Sequence, residues 1–242
     1  MAATLDAPDD DDAIYLAVGE VVDDLRPINQ GDVYRGITLP GFPADDHNIV
    51  ILTTHPCSLR AGPKLKPRLM AVPVRPGQQI APAKWATSFS RQMPLPNLVD
   101  EKAHMAALTE ASVVTPAQLE AADRIAALSE DGIQLLQQRL VWALTHVVID
   151  LDTLAEYSAP AFAEIELLEE WNMALCAPDD GDRPARLATI AREFETYIRS
   201  SGVQADLARE RKRGDARRRA RDELRSRVEA SAESDEGERQ TA

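Results

Sequence analysis

The densest run of reactive side chains is Thr53-Thr54-His55-Pro56-Cys57-Ser58-Leu59-Arg60, placed where an apolar stretch ends. His55 and Cys57 are two residues apart. A thiol becomes a nucleophile when a base or a cation favours its thiolate, and His55 with Arg60 would supply both. The competing reading is a structural cysteine where a loop leaves a sheet, because Pro56 interrupts the strand geometry. The catalytic candidates on this reading are His55, Cys57 and Arg60.

Metal chemistry is not expected. His47, His55 and Cys57 with Asp45 or Asp46 lack the paired spacing by which zinc sites announce themselves, and Cys176 is the only other cysteine. His146, Asp150 and Asp152 read as helix-end and capping residues, and His104 as a loop or helix-end histidine. No cofactor is expected either.

The clearest electrostatic feature is the segment 209–227, with ten basic residues against four acidic ones. The whole chain of 242 residues carries a formal charge of −13. Polyanions are repelled by the rest, so RNA or DNA would bind through this block alone, at Arg211, Lys212, Arg213, Arg217, Arg218, Arg219 and Arg221. No aromatic residue is interleaved for base stacking. The alternative is a solvated helix whose arginines pair with this protein's own acidic body or with an acidic protein partner.

These residues need elements to position them. An acidic run, Asp9 to Asp12, precedes Ile14, Ala17, Val18, Val21, Val22 and Leu25, whose spacing predicts an amphipathic helix over 13–25. Residues 32–39, 48–53 and 69–74 read as strands, with 85–90 a further one. Their short, Gly- and Pro-punctuated connections predict antiparallel pairing, and Pro73 points to an edge or a bulge. Ile49 to Leu52 lacks alternation and should be buried on both faces.

Thr115, Pro116 and Gln118 form a capping box with Leu119, Ala122, Ile125 and Ala126 on one helical face. Ser129 caps a second helix with Ile133, Leu136, Leu140, Leu144 and Val147 inward. Ser158 and Pro160 open a third. Asp179, Asp180, Gly181 and Asp182 lead into a fourth, striped by Leu187, Ile190, Ala191, Phe194, Tyr197 and Ile198. Beyond Gly202 the apolar residues are too sparse for a core-facing stripe.

Gly31-Asp32-Val33-Tyr34, then Ile49 to Leu52, then Leu69 to Val74, resembles the MazF/PemK-like small barrels, SH3-like folds of endoribonuclease toxins. The resemblance covers residues 29–76. It implies a barrel fold; the family's catalytic arginine would fall near His47 and its threonine or serine near Arg75, so the family's catalytic residue types are not retained. Ribonuclease chemistry of this type needs a base for the 2′-hydroxyl and a cation for the charged phosphorus centre, roles that the resemblance would leave to His47 and Arg75 in exchange. The full set of candidate catalytic residues is then His47, His55, Cys57, Arg60 and Arg75. Thr54-His55-Pro56-Cys57-Ser58-Leu59 also looks like a strand-end signature of bacterial proteins from mobile or defence-related contexts.

The expectation is an α+β chain: an acidic tail and helix (1–28), a small antiparallel SH3-like β-barrel (29–100), a helical bundle (101–202) and a charged C-terminal helical or disordered arm (203–242). Two cysteines, the acidic start and the absence of a long apolar run predict a cytoplasmic protein without a membrane span. Its expected role is a non-catalytic binding or interaction protein, an accessory component of a bacterial defence, toxin–antitoxin or nucleic-acid-handling system. The alternative is a toxin-like endoribonuclease with its site on the barrel rim.

Overall fold

A computed structural model describes residues 4–19, 22–42, 48–88, 91–177 and 182–241. The expected loop residues Asp179, Asp180 and Gly181 lie outside them, as do Asp45, Asp46 and His47. The chain is α+β and divides into two compact units. The first takes residues 1–23, 28–61 and 65–158; the second takes 24–27, 62–64 and 159–242.

The first unit is a nearly closed antiparallel β-barrel. Its strands are β1 (Tyr15–Val18), β2 (Asp32–Arg35), β3 (Ile49–Leu52), β6 (Leu69–Pro76), β7 (Gln92–Val99), β8 (Lys102–Ala107), β9 (Ser112–Val114) and β10 (Asp123–Leu128). Short strands β4 (Arg60–Ala61) and β5 (Lys64–Leu65) stand apart. The sheet order is β1-β10-β2-β3-β6-β8-β7, with β9 also on β6, and every pair is antiparallel. The two edges meet where the Tyr15 hydroxyl on β1 donates to the Pro96 carbonyl on β7 at 2.9 Å.

All four residues of β3 are buried, as the unbroken Ile-Val-Ile-Leu run predicts. One sheet face carries Tyr34, Val50, Leu52, Leu69 and Ala71, covered by Leu59 of α1 (Pro56–Leu59) and Leu119 of α3 (Pro116–Glu120). The opposite face buries Val33, Ile49, Ile51 and Val72. Pro73 lies inside central strand β6 rather than at an edge. The Met70 carbonyl accepts from Thr53 N, so by alternation the Pro73 nitrogen faces away from β3. On that side β9 pairing ends at Ala71 and β8 pairing starts at Val74, leaving no ladder bond for proline to break.

Several elements differ from expectation. Residues 15–18 are edge strand β1, with Leu16 and Val18 exposed, instead of an amphipathic helix. Asp10 Oδ1 accepts from Asp12 N and Ala13 N, so the acidic run caps a turn, and pairing with β10 wins over the helical period. Trp85 starts the short helix α2 (Trp85–Ser88), not a strand. The barrel also takes in 102–128, where helices were expected. The Thr115–Gln118 capping box forms, but its helix stops at Glu120 and Ile125 and Ala126 belong to β10.

Helix α4 (Glu130–Thr145), capped by Ser129, runs against β7 and β10 and is buried on every side from Gly132 to Arg139. Leu144 and Val147 are exposed rather than inward. Helix α5 (Leu151–Leu175) begins about two turns before Ser158, because Asp150 caps it by accepting from Thr153 N; Pro160 lies inside the helix.

The second unit comprises the end of α5, α6 (Arg183–Ser200), α7 (Val203–Leu207) and α8 (Glu210–Thr241). Trp171 is its centre, edge-on to Phe194 at 5.3 Å and stacked with Tyr197 at 5.8 Å. Asp182 caps α6 as expected, and Gly202, at φ +73°, separates it from α7. A core stripe does continue past Gly202: Val203, Leu207, Ala216, Ala220 and Leu224 are all buried in this cluster. Alanines carry it on α8, and they are too weakly apolar to stand out among arginines. No helix of the described residues is long and apolar enough to cross a membrane.

Candidate functional site

The end of β3 is held by its neighbour. Thr53 N and Thr54 N both donate to the Met70 carbonyl, at 2.8 and 3.2 Å, and Met70 N donates back to Thr54 Oγ1 at 2.6 Å. The chain then turns into α1. His55 is its N-cap and Pro56 its first residue, a position that needs no N–H. Cys57 N donates to His55 Nδ1 at 3.4 Å, and the Cys57 Sγ lies 2.7 Å from the same nitrogen. As acceptor of the N–H, Nδ1 carries no proton, so the S–H can donate to it. Burial of the half-buried imidazole pushes its pKa below the usual 6.5, which keeps it neutral and able to accept. Cys57 is exposed, and Cys176 is a buried free thiol.

Arg60 follows on β4, its Nη1 donating to the Ile28 carbonyl at 3.0 Å. Under this strand end runs a buried polar chain. Ser158 Oγ donates to Gln137 Oε1, Gln137 Nε2 to Gln30 Oε1, and Gln30 Nε2 to the Thr53 carbonyl. Gln30 N donates to Asn29 Oδ1, Asn29 N to Asp32 Oδ2, and Arg124 Nη1 reaches the same oxygen at 3.3 Å. Gly31 sits inside the turn at φ +84°, where a Cβ would stand 2.9 Å from that of Leu128. Tyr34 lies nearby; burial first, then the Asp32 charge, raise its pKa far above the ordinary phenol value, against the lowering pull of Arg124 and Arg60.

Of the residues singled out from sequence, His55 and Cys57 are in contact, and Arg60 joins them at the same strand end. Arg75 does not. It lies at the other end of β6, five residues beyond Met70, roughly 17 Å along an extended strand. There it makes a two-pronged bond to Glu110, Nη1 to Oε1 at 2.8 Å and Nη2 to Oε2 at 2.5 Å, which holds the Glu110 carboxyl below the usual range. His47 lies outside the described residues. His104 is a buried strand residue of β8 with Nδ1 3.1 Å from the Lys102 carbonyl. Among the described residues no group of three or more His, Cys, Asp or Glu could hold a metal ion.

The sequence reading missed the neighbours of the thiol. Met70 and Val113 are directly opposed across β6 and β9 and are 50 % and 44 % exposed. Met70 is the residue that Thr54 grips, so an uncovered apolar pair adjoins the His55–Cys57 turn. Asp32 was signalled by the Gly-Asp turn; Gln30, Arg124, Gln137 and Ser158 had no signal, since each is one polar residue in an unremarkable context.

The basic block on α8 is largely ion-paired within its own unit. Arg217 bonds Glu166 at 2.6 Å, Arg221 bonds Glu170 at 2.6 Å and Glu166 at 3.3 Å, and Arg227 bonds Glu193 at 3.0 Å. Arg219 and Lys212 reach Asp206 of α7, and Arg218 pairs with Asp215. Arg213 Nε donates to the Leu207 carbonyl. Arg221, fixed chiefly by its bond to Glu170, has its pKa raised further. No family model and no curated protein matches this sequence.

Proposed function

We propose that this chain is a non-catalytic binding protein that presents the end of β3, with Thr54, His55, Cys57, Met70 and Val113, to a protein partner. In this reading the barrel is SH3-like, as its resemblance to the MazF/PemK-like small barrels implies. The chain acts in the cytoplasm as an accessory component of a bacterial defence, toxin–antitoxin or nucleic-acid-handling system. The single observation that carries the proposal is the exposed Met70–Val113 pair beside the strand-end turn: two opposed apolar side chains on a sheet surface are an anchor for protein contact. The position of Arg75 supports the non-catalytic part, since its cation is spent on Glu110 at the far end of β6 from His55.

Nucleic acid on α8 is the weaker contact. Phosphates would have to displace Glu166, Glu170, Asp206 and Asp215 from Arg217, Arg218, Arg219 and Arg221. The alternative, a toxin-like endoribonuclease on the barrel rim, has the His55–Cys57 contact and the nearby Arg60 in its favour.

The test installs a photo-crosslinker at Val113 in the full chain and compares it with the same chain carrying Met70→Asp. A defined partner that is captured by the first and lost with the second is the expected result. Equal capture by both, or RNA cleavage that His55→Ala abolishes, would overturn the proposal.

A further inference from the structure

Arg139 lies in the middle of α4, on the stretch buried on every side, and is itself fully buried. Its guanidinium stands 5.2 Å from the ring centre of Trp85, which is equally buried. Nη2 donates to the Asp6 carbonyl at 2.7 Å and, at 3.5 Å, to the Trp85 carbonyl. Nε and Nη1 meet no acceptor among the described residues. A guanidinium withdrawn from water is costly unless a counter-charge and hydrogen bonds replace the water. The guanidinium bonds the Asp6 carbonyl and not its carboxylate, whose Oδ2 accepts from Gln138 Nε2 at 2.6 Å. Burial accordingly draws the Arg139 pKa down to about 10, against the opposing charge of Asp6.

The group that closes this site is the segment 4–8. Leu5 is buried, Asp6 N donates to Gln138 Oε1 at 2.8 Å, and the next side-chain anchors along the chain are Asp11, which accepts from Gln79, and Ala13, which accepts from Ser129. Residues 4–8 belong to no strand or helix, so they can lift without breaking a sheet ladder.

We propose that Arg139, Gln138 and Trp85 form a binding site for a small oxyanion, a carboxylate or a phosphate, over which residues 4–6 act as a lid. The unmet guanidinium donors supply the charge, the Gln138 amide freed from Asp6 adds a further donor, and Trp85 fixes the guanidinium plane. Asp6 carries the same sign as the ligand, so it leaves as the anion enters, and weakening the lid tightens binding. The site is independent of the strand-end surface proposed above.

The experiment uses the full chain with inorganic phosphate and acetate as probes and chloride at equal ionic strength as control. Phosphate or acetate should raise the unfolding midpoint of the wild type, Leu5→Ser should lower the half-saturating concentration roughly threefold or more, and Arg139→Met should abolish the response. The probe with the larger effect names the ligand class. Chloride acting as well as both probes, or Arg139→Met responding like the wild type, overturns the proposal. Should Arg139→Met fail to fold, phenylglyoxal labelling of Leu5→Ser decides the matter. Slowing of Arg139 modification roughly threefold by the better probe supports the site, and unchanged labelling overturns it.

Discussion

The Nδ1 of His55 lies 2.7 Å from the Sγ of Cys57, and the same nitrogen accepts the Cys57 backbone N–H. A neutral imidazole in that position accepts the S–H as a hydrogen bond and can act as general base when the thiol attacks, so the exposed Cys57 should react with iodoacetamide well ahead of the buried Cys176. His55→Ala should slow alkylation of Cys57 at neutral pH roughly threefold or more. Equal rates in the two proteins, read by peptide mass spectrometry, would show that the contact does nothing to the thiol.

The same histidine makes stability depend on pH. Burial depresses its folded pKa below the ordinary 6.5. Above that value it is neutral in both states and contributes no pH dependence. Below it the unfolded chain binds a proton that the folded chain resists, so stability falls as pH drops toward the folded pKa. His55→Asn, which keeps a capping side chain, should flatten the urea midpoint between pH 7.5 and 5.5 relative to wild type. Parallel profiles would remove His55 as the cause.

The barrel was legible where one signal was strong. The Ile49 to Leu52 run, the Leu69 to Val74 run and the Thr115 and Ser129 caps are where their residue types put them. The closing strands were not. Lys102–Ala107 contains no β-branched residue, Pro94 and Pro96 sit inside β7, and Leu119, Ala122, Ile125 and Ala126 fit a helical period as well as the strand that two of them join. These segments become strands because a sheet edge needs partners, which no local window contains. The site divides the same way. His55 and Cys57 meet because they lie two residues apart in one turn, whereas Met70 and Val113 become neighbours only through β6–β9 register.

Gly132 is required by the approach of α4 to β1. A Cβ there would stand 2.1 Å from the Ile14 carbonyl oxygen, and that oxygen already accepts from Ser129 N at 2.9 Å. Backbone on both sides leaves no flexible side chain to yield. Gly132→Ala should therefore destabilise the chain by about 2 kcal/mol or more, despite alanine's better helix propensity. An unchanged or raised denaturation midpoint would mean that the α4 start and β1 do not meet this closely.

The helical unit separates the worth of α8's two faces. Arg221 bonds Glu170 and Glu166 with 44 % of its side chain exposed, in reach of water and salt, so Arg221→Ala should cost less than about 1 kcal/mol. Ala220, one residue earlier, is fully buried with Ala216 and Leu224 in the cluster around Trp171. An aspartate there places an uncompensated charge in an apolar core, and Ala220→Asp should cost about 3 kcal/mol or more. Denaturant titration of the two variants reads the difference directly. If Ala220→Asp were as mild as Arg221→Ala, α8 would be held by its ion pairs alone and the alanine stripe would not be core.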